Sequence, residues 1–371
     1  MNKISLLFFI VVLFGNQVFA QSTDSWPIFR GDAQLRGISK ASISQNPKLL
    51  WTFQTEDNIK SSPVVDQDRI VMGSTDGFVY CIDLQGNLLW KFDTGNAIEA
   101  SALIHKNVVY MGNLNGTLYA IDLMSGVQLW EYETDNQIIG SANWWEVNGS
   151  TYILVGSYDY FLHCVDAKTG KVNWKYESDN FINGAAACAA GMTYFGGCDG
   201  FLHVVDIATG EVKKKIDVAT YVPGSPALEN NKAYLGDYDG RFFQVDIPGE
   251  KTTWVWEHET TKLPFIASPA IAGNRLLTAN HNKFLYCFDK NTGKLLWEYN
   301  TGSRVEASPV VAGDMVIVAN MRGDLALVNL SDGKTVWNYE IGSQIISNPA
   351  VTDDRIYVGA YDGNVYCFGN E

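Results

Sequence analysis

Basic residues are scarce in this chain. Across 371 residues, 27 Lys and Arg stand against 41 Asp and Glu, a net charge of −14. A surplus of that sign repels phosphate backbones and anionic lipid, which excludes nucleic acid as a partner. Histidine is scarcer still, with five residues scattered at positions 105, 163, 203, 258 and 281. They form no metal-ligand spacing and no Ser-His-Asp order, and no Gly-rich phosphate loop accompanies them, so metal, triad and nucleotide chemistry all lack a motif. There are six Cys, none adjacent to another, and the first is Cys81. After the opening segment no apolar run approaches the twenty residues that a membrane-spanning helix needs. Helical periodicity is missing throughout.

The first twenty residues are of a different kind. Lys3 gives a positive start, residues 6–14 are apolar, and Val18-Phe19-Ala20 ends with small residues at the positions a signal peptidase reads. Residues 1–20 are therefore expected to be a secretory signal. With no Cys behind it, a lipid anchor has no acceptor. The mature chain is expected to cross the inner membrane and to be soluble in the periplasm or outside the cell. Residues 21–47 read as an ordered lead-in, since WPIFRGD (residues 26–32) is too rich in Trp, Ile and Phe for a disordered tail.

What the chain has in quantity is one repeated stretch. VDAKTGKVNW (residues 165–174) recurs as CIDLQGNLLW (81–90), AIDLMSGVQLW (120–130), CFDKNTGKLLW (287–297) and VNLSDGKTVW (328–337). Hairpin markers fall at Asp76-Gly77, Asn115-Gly116, Asp159-Tyr160, Asp199-Gly200, Asp239-Gly240, Asn282-Lys283, Arg322-Gly323 and Asp362-Gly363, spaced 39 to 44 residues apart. Asp-Gly and Asn-Gly favour two-residue hairpins, whose central residues both take positive φ. A Ser-Pro or Ser-Ala pair opens most repeats. Four short strands at a period near 40 predict propeller blades. The last copy stops after its third strand, and a Trp-ended strand around Trp51 has none before it. The expected fold is therefore all-β: an eight-bladed β-propeller of four-stranded antiparallel blades over residues 48–371, its ring closed by the N-terminal strand pairing with the C-terminal three.

Trp51, Trp90, Trp130, Trp174, Trp256, Trp297 and Trp337 end fourth strands and are expected to dock on the neighbouring blade. Lys213-Lys214-Lys215 breaks that pattern in the fourth repeat, predicting a weaker interface behind a solvated edge. Cys81, Cys164, Cys287 and Cys367 share one repeat position, too far apart around a ring to bridge. Cys188 and Cys198 lie near opposite ends of one hairpin. Free thiols are expected.

At these residues the chain resembles the PQQ-like repeat family. That family includes quinoprotein alcohol and glucose dehydrogenases and the propeller subunit of the outer-membrane β-barrel assembly machine (BamB-like proteins). Residues 166–174 and 289–297 resemble its tryptophan-docking motif, and the likeness covers about residues 48–368. For the enzymes, the resemblance implies PQQ and calcium over the central channel, held by insertions between blades and often beside two adjacent Cys. This chain has no Cys pair and no comparable insertions, so no cofactor and no metal is expected; PQQ and calcium belong to the alternative reading.

The innermost strands should line the channel. Counting back from each hairpin marker gives Lys60, Glu99, Ile139, Asn183, Pro223, Ile266, Glu306 and Ile346 at its mouth. Arg304 and Gln344, two residues before Glu306 and Ile346, are expected to join Lys60, Glu99, Asn183 and Glu306 as ligand candidates. Trp144 and Trp145, in the longest repeat, are candidate exposed aromatics, since neighbours in a strand face opposite ways. His163 and His203 stand where other repeats have Tyr and read as structural. The favoured expectation is an exported, non-catalytic, monomeric scaffold for a protein partner in the cell envelope. A small PQQ- and calcium-dependent dehydrogenase and a carbohydrate-binding or polysaccharide-processing accessory are the alternatives.

Overall fold

The computed structural model describes residues 25–370. The signal segment, residues 1–20, lies outside the described residues. Every regular element described is a strand. The first complete blade comprises Val64–Asp66, Arg69–Gly73, Phe78–Asp83 and Leu88–Asp93, paired in that order and antiparallel. Blades 2 to 7 follow over residues 103–133, 143–177, 187–217, 227–257, 270–300 and 310–340. Blade 8 has Ala350–Thr352, Arg355–Gly359 and Asn364–Gly369, and its fourth strand is Lys48–Gln54 from the other end of the chain. Trp51 is paired there with Cys367. Closing the ring in this way leaves no open edge blade.

The turns differ from expectation in one respect. At the hairpin markers only the second residue takes positive φ, as at Gly77 (91°). The Asp instead caps the loop, Asp76 Oδ1 accepting from the Phe78 N–H at 2.9 Å. Tyr160 (77°) and Lys283 (68°) hold that left-handed conformation without being glycine. The two-residue turns with both φ positive lie between first and second strands, as at Gln67-Asp68 (50° and 58°).

Blade-to-blade packing rests on a tryptophan and a glycine. The Trp90 indole donates Nε1–H to the Leu123 carbonyl at 2.9 Å. It lies over Gly126 of blade 2, where an added Cβ would come within 2.8 Å of the ring. Trp51, Trp130, Trp174 and Trp297 repeat the arrangement on Leu84, Ala167, Ile207 and Leu330. In blade 5 the docking residue is Trp254, not Trp256. Trp254 pairs with Gln244, in register with the other docking Trp, and reaches Lys290 O at 3.3 Å. Trp256, two residues on, packs instead among Phe265, Tyr286 and Phe288. Trp337 has no such turn ahead of it, because the third and fourth strands of blade 8 are not consecutive in the chain; it packs on Phe368, ring centroids 5.6 Å apart.

Blade 4 replaces the pair outright. Lys214 occupies the tryptophan position, and Glu250, at φ 52°, occupies the glycine position of blade 5. The two form an ion pair at 2.6 Å. Lys213 and Lys215 are likewise paired, with Glu211 and Asp179. All six cysteines are free. Burial pushes the Cys81, Cys164, Cys287 and Cys367 thiols up to about 12, which leaves them inert at neutral pH.

Trp144 and Trp145 are not exposed. Both are half-buried, on opposite sides of their strand. Trp144 stacks on His105 of blade 2 at 3.9 Å, while Trp145 packs into the core between blades 3 and 4. A blade has neighbours on both faces, so alternation along the strand sends each ring into a different interface.

Candidate functional site

The lead-in builds the floor of the site. Residues 26–39 run round one end of the channel and meet the innermost strands in blade order. Carbonyls of Trp26, Pro27, Ala33, Gln34, Arg36 and Gly37 accept the N–H groups of Val65, Ile104, Cys188, Leu228, Ile271 and Val311 at 2.7–3.0 Å. Blade 3 joins through Asn143 Nδ2, which donates to Ala33 O at 2.9 Å. Blade 8 joins through Ser39 Oγ, which donates to Val351 O at 3.1 Å. Those strand N–H groups face the channel and have no partner within their own blade, so the strap satisfies them. Ile28, Arg30 and Leu35 fill the centre and are at most 2% exposed. Arg30 donates Nη2–H to the Pro269 carbonyl at 3.0 Å, while its Nε and Nη1 have no partner. Burial lowers this guanidinium to about 9.

Above the strap a belt of hydroxyls ties the blades together. The Ser62 N–H donates to Ser101 Oγ, and Ser101 N–H to Ser141 Oγ, at 2.9 and 3.1 Å. Ala185, Ser225 and Ser268 continue it to Ser225, Ser268 and Ser308 at 2.8–2.9 Å. Asn348 takes the last step, its N–H donating to Ser62 Oγ at 2.9 Å. The serines of the repeat openings supply these acceptors. The link from blade 3 to blade 4 is missing, because residue 185 is Ala.

With its floor sealed, the channel is a cavity of about 210 Å³ that opens on one face. Lys60, Glu99, Asn183 and Glu306 line it, together with Ile139, Pro223, Ile266 and Ile346, above Phe29 of the strap. The column counted back from the hairpin markers thus falls in one ring, all of it half-buried. Arg304 and Gln344 do not line the cavity; both are exposed, one tier further out. Arg304 Nε still lies 3.7 Å from Glu306 Oε1. Gln344 contributes its carbonyl, which accepts the Tyr361 N–H.

Two members escaped the sequence reading. His281 Nε2 lies 3.2 Å from Glu306 Oε1, and this contact, with Arg304 beside it, holds the Glu306 carboxyl below its ordinary range. Tyr361 lies under the Lys60 ammonium, 5.9 Å from nitrogen to ring centre. Both stand one residue before a hairpin marker, so aligning that column would have found them. Lys60 Nζ donates to Glu99 Oε1 at 2.6 Å. Burial works against the Lys60 charge, but Glu99 outweighs it and raises the ammonium above its ordinary value. Asn183 donates Nδ2–H to Cys198 Sγ at 3.2 Å, and its Oδ1 is buried without a partner.

Round the same mouth, blades 3 to 6 carry exposed apolar side chains at the turns: Tyr160, Tyr221, Tyr238 and Leu263, 39–54% exposed. Tyr158 and Phe181 stack beneath them at 4.6 Å. Every other exposed large apolar residue described lies on a fourth strand or the turn leading into it.

Eight four-stranded repeats in a ring, docked Trp-on-Gly, define a propeller of the PQQ-like kind. The chain belongs to the family described as outer membrane protein assembly factor BamB, whose model matches residues 41–152, 140–262, 249–321 and 285–370. No curated protein matches it. Among solved structures it is similar to BamB from Moraxella catarrhalis, at 20% identity and TM-score 0.74, covering 88% of this chain and 98% of that one. It is similar to a quinohemoprotein alcohol dehydrogenase from Comamonas testosteroni, at 15% identity and TM-score 0.78, covering 94% and 81%. A computationally designed protein, Ika8, is as similar, at 17% identity and TM-score 0.76, covering 87% and 100%. At such identities the likeness is one of fold.

The residues at the mouth do not fit the cofactor of the quinoprotein enzymes. PQQ bears three carboxylates, and the lining presents Glu99 and Glu306 to it, with Lys60 already committed to Glu99. Among the described residues no group of three or more His, Cys, Asp or Glu is placed to hold a metal ion.

Proposed function

We propose that this protein is an exported, non-catalytic scaffold of the cell envelope that docks a protein partner on its mouth face. The observation that carries the reading is the crescent of Tyr160, Tyr221, Tyr238 and Leu263 beside the charged mouth. Tyr is enriched in interface cores, where it supplies contact area at low entropic cost. The opposite end of the channel is taken up by the strap, which leaves the mouth as the face with spare binding groups. The BamB family membership supports a role in protein interaction, and the opening twenty residues support export. No helix among the described residues is long and apolar enough to cross a membrane.

The test is co-purification from envelope extracts with the native chain and with a Tyr221→Ser/Tyr238→Ser variant. The native chain is expected to retain a defined partner that the variant loses. Equal retention by both would remove the mouth face from the account. Titration with PQQ and calcium is expected to give no heat, and equimolar calcium-dependent binding would replace this reading with the dehydrogenase.

A further inference from the structure

The lining of the cavity is unbalanced in a way that points to one ligand chemistry. Its charged members are two carboxylates and one ammonium. Lys60 is used by Glu99. Both contacts to Glu306, from His281 and Arg304, fall on Oε1, and Arg304 itself lies outside the cavity with its side chain 53% exposed. Asn183 adds a buried acceptor, Oδ1, that nothing in the protein satisfies. A buried acceptor without a donor is costly, and a ligand that supplies the donor recovers that cost. The cavity therefore has acceptors to spare, while its one ammonium is paired and the neighbouring His281 Nε2, 3.2 Å from Glu306 Oε1, makes no hydrogen bond. Its closed floor, made by Phe29 and the strap, limits the occupant to something short and admits it from the mouth only.

We infer that the mouth cavity receives the cationic side chain, guanidinium or ammonium, of the protein that docks on the tyrosine crescent. This deepens the scaffold reading and rests on it. A guanidinium suits the lining best, because its fixed fork of N–H donors offers several hydrogen bonds to carboxylate and amide oxygens at once. The crescent continues from the Asn183 side of the ring, so a peptide lying across Tyr221 and Tyr238 brings a central basic residue over the opening. The chain's net charge of −14 draws a basic partner toward it.

The experiment titrates the purified chain with three probes: a capped nonapeptide of Gly, Ser and Leu with one central Arg, the same peptide with citrulline, and free agmatine. The Arg peptide is expected to bind and the citrulline peptide to bind at least about tenfold more weakly, the loss expected for a charge-assisted hydrogen bond. Glu306→Gln and Asn183→Ala should each weaken the Arg peptide by about that factor, while Lys334→Gln, on a fourth-strand turn, should not. Tyr238→Ser should weaken the peptide and leave agmatine unchanged. Thermal unfolding of each variant separates lost binding from lost folding. Equal binding of the Arg and citrulline peptides, or no binding of either, would overturn the inference. Agmatine binding as tightly as the peptide would overturn it too, by assigning the cavity to a free amine. The citrulline, Glu306 and Asn183 outcomes do not bear on docking at the crescent, which the co-purification test reads separately.

Discussion

Exchanging the Lys214–Glu250 pair for the Trp–Gly pair of the other interfaces should strengthen the ring. Docking one face of an indole removes on the order of 100 Å² of apolar surface from water, about 2.5 kcal/mol at ~25 cal/mol per Å². The ion pair given up is worth about 0.5 kcal/mol, because Lys214 and Glu250 are 25% and 55% exposed. With about 1 kcal/mol more from relieving the left-handed Glu250, the double variant Lys214→Trp/Glu250→Gly is therefore expected to gain about 3 kcal/mol. Neither change alone should do so. A Cβ at Gly126, the equivalent of residue 250, would stand 2.8 Å from its tryptophan. By the same geometry Glu250 should displace a lone indole at position 214 and leave Lys214→Trp neutral or worse. Glu250→Gly alone relieves a left-handed residue, worth about 1 kcal/mol, and loses the pair. Urea denaturation followed by far-ultraviolet circular dichroism gives the four stabilities of the cycle. A coupling energy of roughly 1.5 kcal/mol or more is expected. If Lys214→Trp stabilises as much as the double variant, the steric role assigned to glycine is wrong.

Other interactions give equally direct expectations. Gly37→Ala would put a Cβ 1.8 Å from the Arg30 guanidinium at a residue with φ 64°; it should cost about 3 kcal/mol or more and release amide exchange over residues 26–39 first. Ala185→Ser should complete the hydroxyl belt and add about 1 kcal/mol to stability in denaturant titration; no gain would mean that Ser141 N–H is already satisfied another way. Asp159 is pushed up by burial, but the hydrogen bond from His163 and its charge outweigh this and hold the carboxyl at about 2. Its contribution is therefore fully present above the unfolded value of about 3.9 and is lost as pH falls from there toward 2. Asp159→Asn should lose that contribution at every pH above about 4 and so flatten the acid slope below it; an unchanged acid slope would reject the assignment.

Much of this architecture was legible in the repeats because each element recurs at a fixed offset. Trp51 was recognisable as the missing fourth strand of blade 8, since every other copy but the fourth carries Trp there. Counting back from the hairpins brought Lys60, Glu99, Asn183 and Glu306 to one height on the channel. The same counting would have chosen Trp254: it lies 15 residues after Asp239, as Trp174 does after Asp159, whereas Trp256 lies 17. Trp144 and Trp145 misled because alternation suggests one wet face, and a blade inside a ring has none. The strap was illegible for a different reason. It occurs once, so no comparison between repeats marks it, and its contacts run through main-chain carbonyls that any residue could supply. Arg30, buried in the middle of it, looks on paper like a solvent-exposed charge. The crescent was missed because Tyr221 and Tyr238 sit in turns, where an aromatic carries no periodicity.

Binding on the mouth face can be read residue by residue with site-specific photocrosslinking. A photoreactive residue placed at Tyr221, at Leu129 on the outer edge of blade 2, or at Lys40 beside the strap samples the three kinds of surface in turn. A discrete protein adduct in the cell envelope is expected from position 221, with none from 129 or 40. An adduct from the outer edge or the strap with none from the crescent would move the binding surface off the mouth face.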